Sequence, residues 1–412
     1  MLTPLRARLL LSGAALVALL LSVPVAAQVA PVGSLTLQAA IARAMAANAT
    51  LAAARLRGPI NLASLAVARE RLNPEAAIEF ERETPKEAYG VAVPLELGGK
   101  RARRIDVAQA TVRAGEAELA ATVAQVRNDV RRAYFGQVVA EQRLMILREQ
   151  RDISMRTLDT AQARLDAGDV PRLEVMQAQL ALAAVENEAT AAEGTAAAAR
   201  ATLNALLAQP LDTPTALSTT VDDAAPPGTQ AALMLAQTAS AELISFDRQI
   251  EAQRARILLA RALRMPDLIP TFSLTHRAEP EFNYGYRAGA AITLPLFTTH
   301  RAAVLVEQTT LDQLMAQRQA TLLRIQGEVT AASQRAQAQR DLFVRYRDQI
   351  IPQAQQVEQL AQDAYQLGQT GIGPLLLALQ ATRDVRLRSL DGIDQFQTAL
   401  ADLERAIGAP LP

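Results

Sequence analysis

The 412-residue chain has no cysteine, no tryptophan, two histidines and only 3% aromatic residues. Without cysteine it can form no disulfide, no thiolate metal site and no lipid-modified N-terminal cysteine. His276 and His300 stand far apart, and the methionines form no cluster, so neither type makes a metal-binding motif. There is no Gly-rich phosphate loop of Walker spacing and no catalytic triad pattern. The chain therefore reads as neither an enzyme nor a cofactor carrier. Lys plus Arg equals Asp plus Glu at 42 each, which gives no support to nucleic-acid binding. Half of the residues are hydrophobic although aromatics are few, so that fraction comes from Ala, Leu and Val. This composition suits long, closely packed helices.

Long apolar runs are also missing, except at the N-terminus. Arg6 and Arg8 precede Leu9 to Val23, and Pro24-Val25-Ala26-Ala27 follows. A basic region, an apolar stretch and a small-residue site are the parts of a secretory signal peptide, here residues 1–27. The apolar run falls short of the roughly 20 residues a spanning helix needs, although a retained anchor is the alternative. No later stretch has the length and apolarity of a spanning helix, so a membrane location would have to be reached through strands.

What the sequence does contain is a repeat. Thr50 and Pro74 are separated by 24 positions, as are Glu242 and Pro266, and Arg101 and Gly168 by 67, as are Arg301 and Gly368. Pro94-Leu95 has its counterpart in Pro295-Leu296. The chain divides into residues 28–208 and 231–412, joined by an irregular Pro-, Thr- and Asp-rich linker over 209–230. Within each copy apolar residues recur every three or four positions: Val123, Val126, Val130, Tyr134 and Val138 in the first, Leu322, Ile325 and Val329 in the second. That is the seam of helices packing along their length. Uninterrupted helix from Arg101 to Leu165 would be about 100 Å long, and Pro352 should kink its counterpart. Returning helices are predicted over 172–207 and 374–406, and single preceding helices over 37–72 and 231–264.

Two segments, 76–97 and 267–297, change period. Tyr89, Val91, Val93 and Leu95 occupy alternate positions, as do Tyr284, Tyr286, Ala288, Ala290 and Ile292 against Gly285, Arg287 and Gly289. Period two with one apolar and one polar face marks a membrane barrel strand, or a soluble sheet lying on a core. Seven of the fourteen Phe and Tyr fall here: Phe80, Tyr89, Phe272, Phe282, Tyr284, Tyr286 and Phe297. Aromatics gather at membrane interfaces, which favours the barrel. Two hairpins give four strands, barrels need about eight or more, and an open edge cannot stand in lipid. Further copies of the chain must complete the wall.

Ser34-Leu35-Thr36-Leu37, Pro94-Leu95-Glu96-Leu97-Gly98-Gly99-Lys100-Arg101 and Arg164-Leu165-Asp166-Ala167-Gly168-Asp169-Val170 carry a resemblance. With them the chain resembles the outer-membrane efflux proteins of the TolC type, and more closely their heavy-metal cation branch. The resemblance implies a mainly α fold with a small β part: long antiparallel helical hairpins forming an α-barrel, and four strands per chain completing a trimeric twelve-stranded β-barrel. It implies a passive conduit in the outer membrane of a Gram-negative bacterium, reaching through the periplasm to an adaptor and an inner-membrane proton-driven (RND) pump. Arg164, Leu165, Gly168 and Val170, with Leu367 and Gly368, would be the adaptor-docking tip, and Asp166 and Asp169 would line the periplasmic mouth. Lys100, Arg101, Arg103 and Arg104 place cations at a helix N-terminus, which costs about 0.3–1 kcal/mol each. Inner-leaflet phosphates, or plain solvation, would offset it. A type I secretion duct is the nearer rival function. A soluble periplasmic coiled-coil adaptor would explain the helices and leader but not the strand pairs.

Overall fold

The computed structural model describes residues 34–219 and 225–411; the expected signal peptide lies outside them. The element order is helix, helix, strand, strand, long helix, returning helix, run through twice. The first run comprises α1 (Leu37–Ala47), α2 (Ala49–Arg69), β1 (Glu75–Phe80), β2 (Glu87–Ala92), α3 (Lys100–Asp166) and α4 (Arg172–Leu206). The second comprises α5 (Thr229–Ala239), α6 (Ala241–Ala262), β3 (Leu268–Ala278), β4 (Phe282–Ile292), α7 (Arg301–Arg345), a π-turn over Tyr346–Ile350, α8 (Ile351–Gln366) and α9 (Ile372–Ile407).

The 67 residues of α3 form one unbroken helix, about 100 Å long. Its counterpart is interrupted where expected. Pro352 sits in the first turn of α8, and the π-turn lies immediately before it. Proline lacks an amide hydrogen and its ring crowds the carbonyl four residues earlier, so the ladder widens there.

The helices expected over 37–72 and 231–264 are each two helices, not one. Asn48 adopts an extended conformation, and its side-chain oxygen accepts from the Thr50 and Leu51 amides at 2.9 and 3.2 Å. Its Nδ2 donates to the Leu206 carbonyl at 3.0 Å, tying the break to the end of α4. An asparagine that caps a new helix competes with continuing the old one. Ser240, non-helical and buried, makes the corresponding break between α5 and α6. Residues 209–219 are irregular as expected but anchored: Leu217 bridges Leu35, and the Tyr134 hydroxyl donates to the carbonyls of Leu35 and Ser218 at 2.8 and 2.9 Å.

Burial follows the length of the molecule instead of one centre. One cluster joins α1, α2, α3 and α4 around Leu51, Val130, Tyr134 and Leu203. Another joins α5, α6, α7 and α9 around Leu243, Ile325, Val329 and Leu403. A third closes the far end around Ala161, Val175, Tyr365, Ile372 and Leu375. Near the sheet the helices pack in the order α2, α3, α6, α7; towards the far end the order is α4, α3, α9, α8. The four strands form one antiparallel sheet in sequential order, with β1 and β4 at its edges. None of the described helices is long and apolar enough to cross a membrane.

Candidate docking tip and membrane-facing sheet

Register shows how the strand residues share faces. Ile78, Tyr89, Leu274 and Tyr286 form one row across all four strands, and Ala76, Val91, Phe272 and Ala288 form the next. Phe80, Glu87, His276 and Tyr284 make a row nearer the hairpin turns. Towards the helices, Val93 pairs beside Pro270 and Ala290, then Leu95 beside Leu268 and Ile292. Four rows of one face are therefore apolar, and the fifth, nearest the turns, sets Glu87 and His276 between Phe80 and Tyr284; from Tyr284 to Ile292 this face runs about 27 Å along the strand. A membrane barrel presents an apolar band of about 25 Å. The other face carries Glu75, Glu79, Gly90, Thr271, Ser273, Thr275, Arg287 and Gly289.

The aromatics expected at an interface separate on this frame. Phe80 and Tyr284 are exposed on the apolar face in the row nearest the turns, Tyr89 and Tyr286 in the adjoining row, and Phe297 is 98% exposed at the opposite end. Phe272 stands in the middle row, away from either rim. Phe282 does not join the apolar face. Its ring folds over Gly285 beside Thr275, and a Cβ at Gly285 would lie 2.7 Å from it. Glu87 and His276, which the alternation did not single out, sit on the apolar face as a pair at 3.1 Å. Arg277 completes the carboxylate at 2.9 Å, and the His276 ring stacks on Tyr284.

Where strands meet helices, the four cations expected to face lipid have internal partners. Lys100 is buried, its Nζ 2.7 Å from Asp267, whose other oxygen accepts from the Leu97 amide. Arg104 pairs with Glu96 and donates to the carbonyls of Ala68 and Glu70, and Arg101 donates to that of Arg69. Arg103 meets Asp106 at 3.1 Å. Arg101 and Arg104 cap the C-terminus of α2, where unpaired carbonyls favour positive charge. That arrangement, with no need of phosphates, offsets their unfavourable place at the start of α3.

The two hairpin turns at the far end have the same build. Gly168 has φ +84° and Gly368 φ +70°. In the first turn the Gly168 amide donates to Leu165 and the Asp169 amide to Arg164; in the second Gly368 donates to Tyr365 and Gln369 to Ala364. This double bond pair is the Schellman cap, which satisfies the last carbonyls of a helix through a left-handed residue that glycine supplies. Gly168, Asp166, Asp169, Leu367 and Gly368 are exposed at the turns. Three of the expected contact residues are not. Val170 is 8% exposed, Leu165 packs into the cluster around Tyr365, and Arg164 lies between the hairpins. Its guanidinium sits 4.9 Å from the Tyr365 ring and donates to that residue's carbonyl at 3.3 Å. Burial, then the negative charge of Glu174, pushes the Tyr365 hydroxyl above its ordinary pKa against the opposing pull of Arg164. The family motif thus turns inward here, holding hairpin to hairpin. Tyr365 and Glu174 belong to that contact, and the sequence reading missed both. So were Leu173, Met176 and Leu377, the large exposed apolar residues beside the turns.

Comparison with known proteins agrees with this arrangement. Residues 27–209 match the family described as outer membrane efflux protein. The chain is 25% identical to the cobalt-zinc-cadmium resistance protein CzcC of Cupriavidus metallidurans over 91% of its length and 90% of that protein. It is 27% identical to the nickel-cobalt-cadmium resistance protein NccC of Alcaligenes xylosoxydans xylosoxydans, over 74% of this chain and 67% of that one. Among solved structures, the Campylobacter jejuni CmeC outer membrane channel superposes with a TM-score of 0.76 at 16% identity, over 90% of this chain and 85% of that one. The Vibrio cholerae outer membrane protein VceC gives 0.73 at 18% identity, over 91% and 97%. The fold is that of the outer-membrane efflux channels.

Proposed function

We propose that the chain is the outer-membrane channel subunit of a tripartite efflux system, a passive conduit through which heavy-metal cations leave the cell. One observation carries the reading: a single chain leaves both of its flanks unpartnered along their whole length. At the sheet these are the edges of β1 and β4. Next to it, α2 exposes Leu56, Ile60 and Val67, and α7 exposes Leu305, Val306 and Leu323. At the tip, α4 exposes Leu173, Met176 and Leu180, and α8 with its C-cap exposes Val357, Leu360 and Leu367. In α2, α4 and α8 the spacings of three, four and seven are those of a packing seam waiting for another helix. Identical copies set side by side cover all of these features together, and a ring leaves none of them open. The resemblance to TolC-type proteins gives the number as three, hence twelve strands.

The duplication read from the spacing accounts for the doubled element order, each copy supplying one strand hairpin and one helical hairpin. The exposed turn residues Gly168, Asp166, Asp169, Leu367 and Gly368 form the adaptor-docking tip, with the two carboxylates at the mouth. The cation assignment rests on the two resistance proteins to which the chain is similar. No bound metal is needed, because a wide aqueous conduit passes ions without ligands. A soluble adaptor would leave Tyr284, Tyr286 and Phe297 in water. The test is fractionation of the full-length protein, cross-linking, and growth of a deletion strain on cobalt, zinc, nickel and cadmium. Outer-membrane recovery as a trimer and loss of tolerance are expected. A soluble monomer would end the channel reading; unchanged tolerance would remove the cation assignment alone.

A further inference from the structure

The polar face of the sheet carries its charge only at the edges. Among the residues of the four strands that face this way, β1 contributes Glu75 and Glu79, while β2 and β3 contribute Ala88, Gly90, Ala92, Thr271, Ser273 and Thr275. β4 contributes Arg287, which shares a row with Ala77, Gly90 and Ser273. Arg287 is therefore three strand spacings, about 14 Å, from the β1 edge, beyond reach of either carboxylate in its own chain. It is the only charged residue of β4, as Glu75 and Glu79 are of β1. None of the three has an ion-pair partner among the described residues of the chain.

We propose that Arg287 of one copy pairs with the Glu75 and Glu79 carboxylates of the next, on the conduit side of the wall, and that this pairing directs ring closure. The proposal rests on the oligomeric channel reading above. In a sequential antiparallel sheet, β4 of one copy runs antiparallel to β1 of its neighbour, so the two edges match in direction. The apolar rows must face lipid, which leaves Arg287 and both glutamates facing the same way inside. Arg287 is the central residue of β4, and the glutamates stand two residues to either side of Ala77. A slip of two residues in either direction still sets the guanidinium opposite or diagonal to a carboxylate. The charge pattern also opposes wrong closure: β1 against β1 would bring glutamates together, and β4 against β4 would bring arginines together. With two carboxylates to one guanidinium, each copy keeps one uncompensated negative charge on the conduit wall.

The experiment uses the full-length chain in the outer membrane and follows the temperature at which its oligomer dissociates. Arg287→Glu should lower that temperature, and adding Glu75→Arg or Glu79→Arg should restore it, the better rescuer naming the closer partner. Because the natural sequence has no cysteine, Arg287→Cys combined with Glu75→Cys or Glu79→Cys gives an unambiguous second readout. Oxidation should yield a ladder of covalent oligomers from at least one pair and none from any single cysteine. An Arg287→Glu oligomer as stable as the natural one overturns the proposal, as does a loss that neither glutamate reversal repairs with no disulfide ladder. In both cases the unmodified protein still forms its oligomer. If the unmodified protein is itself a monomer, the channel reading is what fails.

Discussion

Adjacent positions on β2 should respond oppositely to the same cation. Val91 lies in the middle one of the five rows on the lipid-facing side of the sheet, opposite Ala76 on one side and Phe272 on the other. Ala92, the next residue, lies opposite Glu75 and Thr271 on the polar face. An arginine on the lipid face near mid-bilayer costs about 2–4 kcal/mol, and a ring of three copies incurs it three times. At position 92 the guanidinium would enter water next to the Glu75 carboxylate, where opposite charges directly across strands gain about 0.2–1 kcal/mol. Val91→Arg should therefore sharply reduce outer-membrane trimer, while Ala92→Arg should leave its amount and heat resistance near those of the natural protein. Quantifying cross-linked trimer in outer-membrane fractions, at matched expression, measures both. Equal yields, or a larger loss at Ala92→Arg, would refute the facing of the sheet and with it the barrel.

Three further outcomes are expected. Gly168→Trp should abolish adaptor pull-down and metal tolerance with normal trimer levels: its Cβ meets nothing within 4 Å, so the damage is confined to the left-handed cap and the exposed turn. Retained adaptor binding would place the docking surface elsewhere. Lys100→Ala should lower stability by about 1–3 kcal/mol, and the melting temperature with it, since it leaves the Asp267 carboxylate without its buried partner, and Asp267→Asn added to it should recover part of the loss. Glu358 and Asp394 are half-buried carboxyls whose pKa values are raised, chiefly by burial and, for Asp394, next by the charge of Asp391. A raised value means that the folded chain binds the proton more tightly than the unfolded chain. The penalty on folding is then full at neutral pH and fades as pH falls through the folded value. Glu358→Gln and Asp394→Asn should raise the melting temperature at about pH 7 and change it little at about pH 4, as followed by circular dichroism.

The parts of the fold that repeat a period over many residues were legible in the sequence. Apolar spacing of three and four, kept up from Leu119 to Val138 without a breaker, left no reading of α3 but a long helix. Alternation through Tyr89, Val91, Val93 and Leu95 identified a face that the register then extended across four strands. What escaped were events decided by one side chain meeting a distant backbone. Asn48 ends α1 because its amide reaches the Leu206 carbonyl, 158 residues away in sequence; the cap signal is local, but its anchor is not. Phe282 obeys the alternation by number and leaves it in space, because Gly285 offers room on the other side of the sheet.

The basic run after Gly99 and the Arg164 motif show the same difference from the side of function. Both were read outwards, towards lipid and towards an adaptor, since a charged side chain in a turn is presumed free until a partner is found. In both places the partner comes from the other half of the chain or from the preceding helix: Asp267 for Lys100, the end of α2 for Arg101 and Arg104, Tyr365 for Arg164. What these side chains secure is the joining of hairpin to hairpin, because no single globular core does so. A side chain is then free to meet a second protein only where this internal joining leaves it over. At the tip those side chains are the exposed Asp166, Asp169 and Leu367, together with the apolar Leu173, Met176 and Leu377 beside them. At the sheet they are the glutamates of one edge and the arginine of the other.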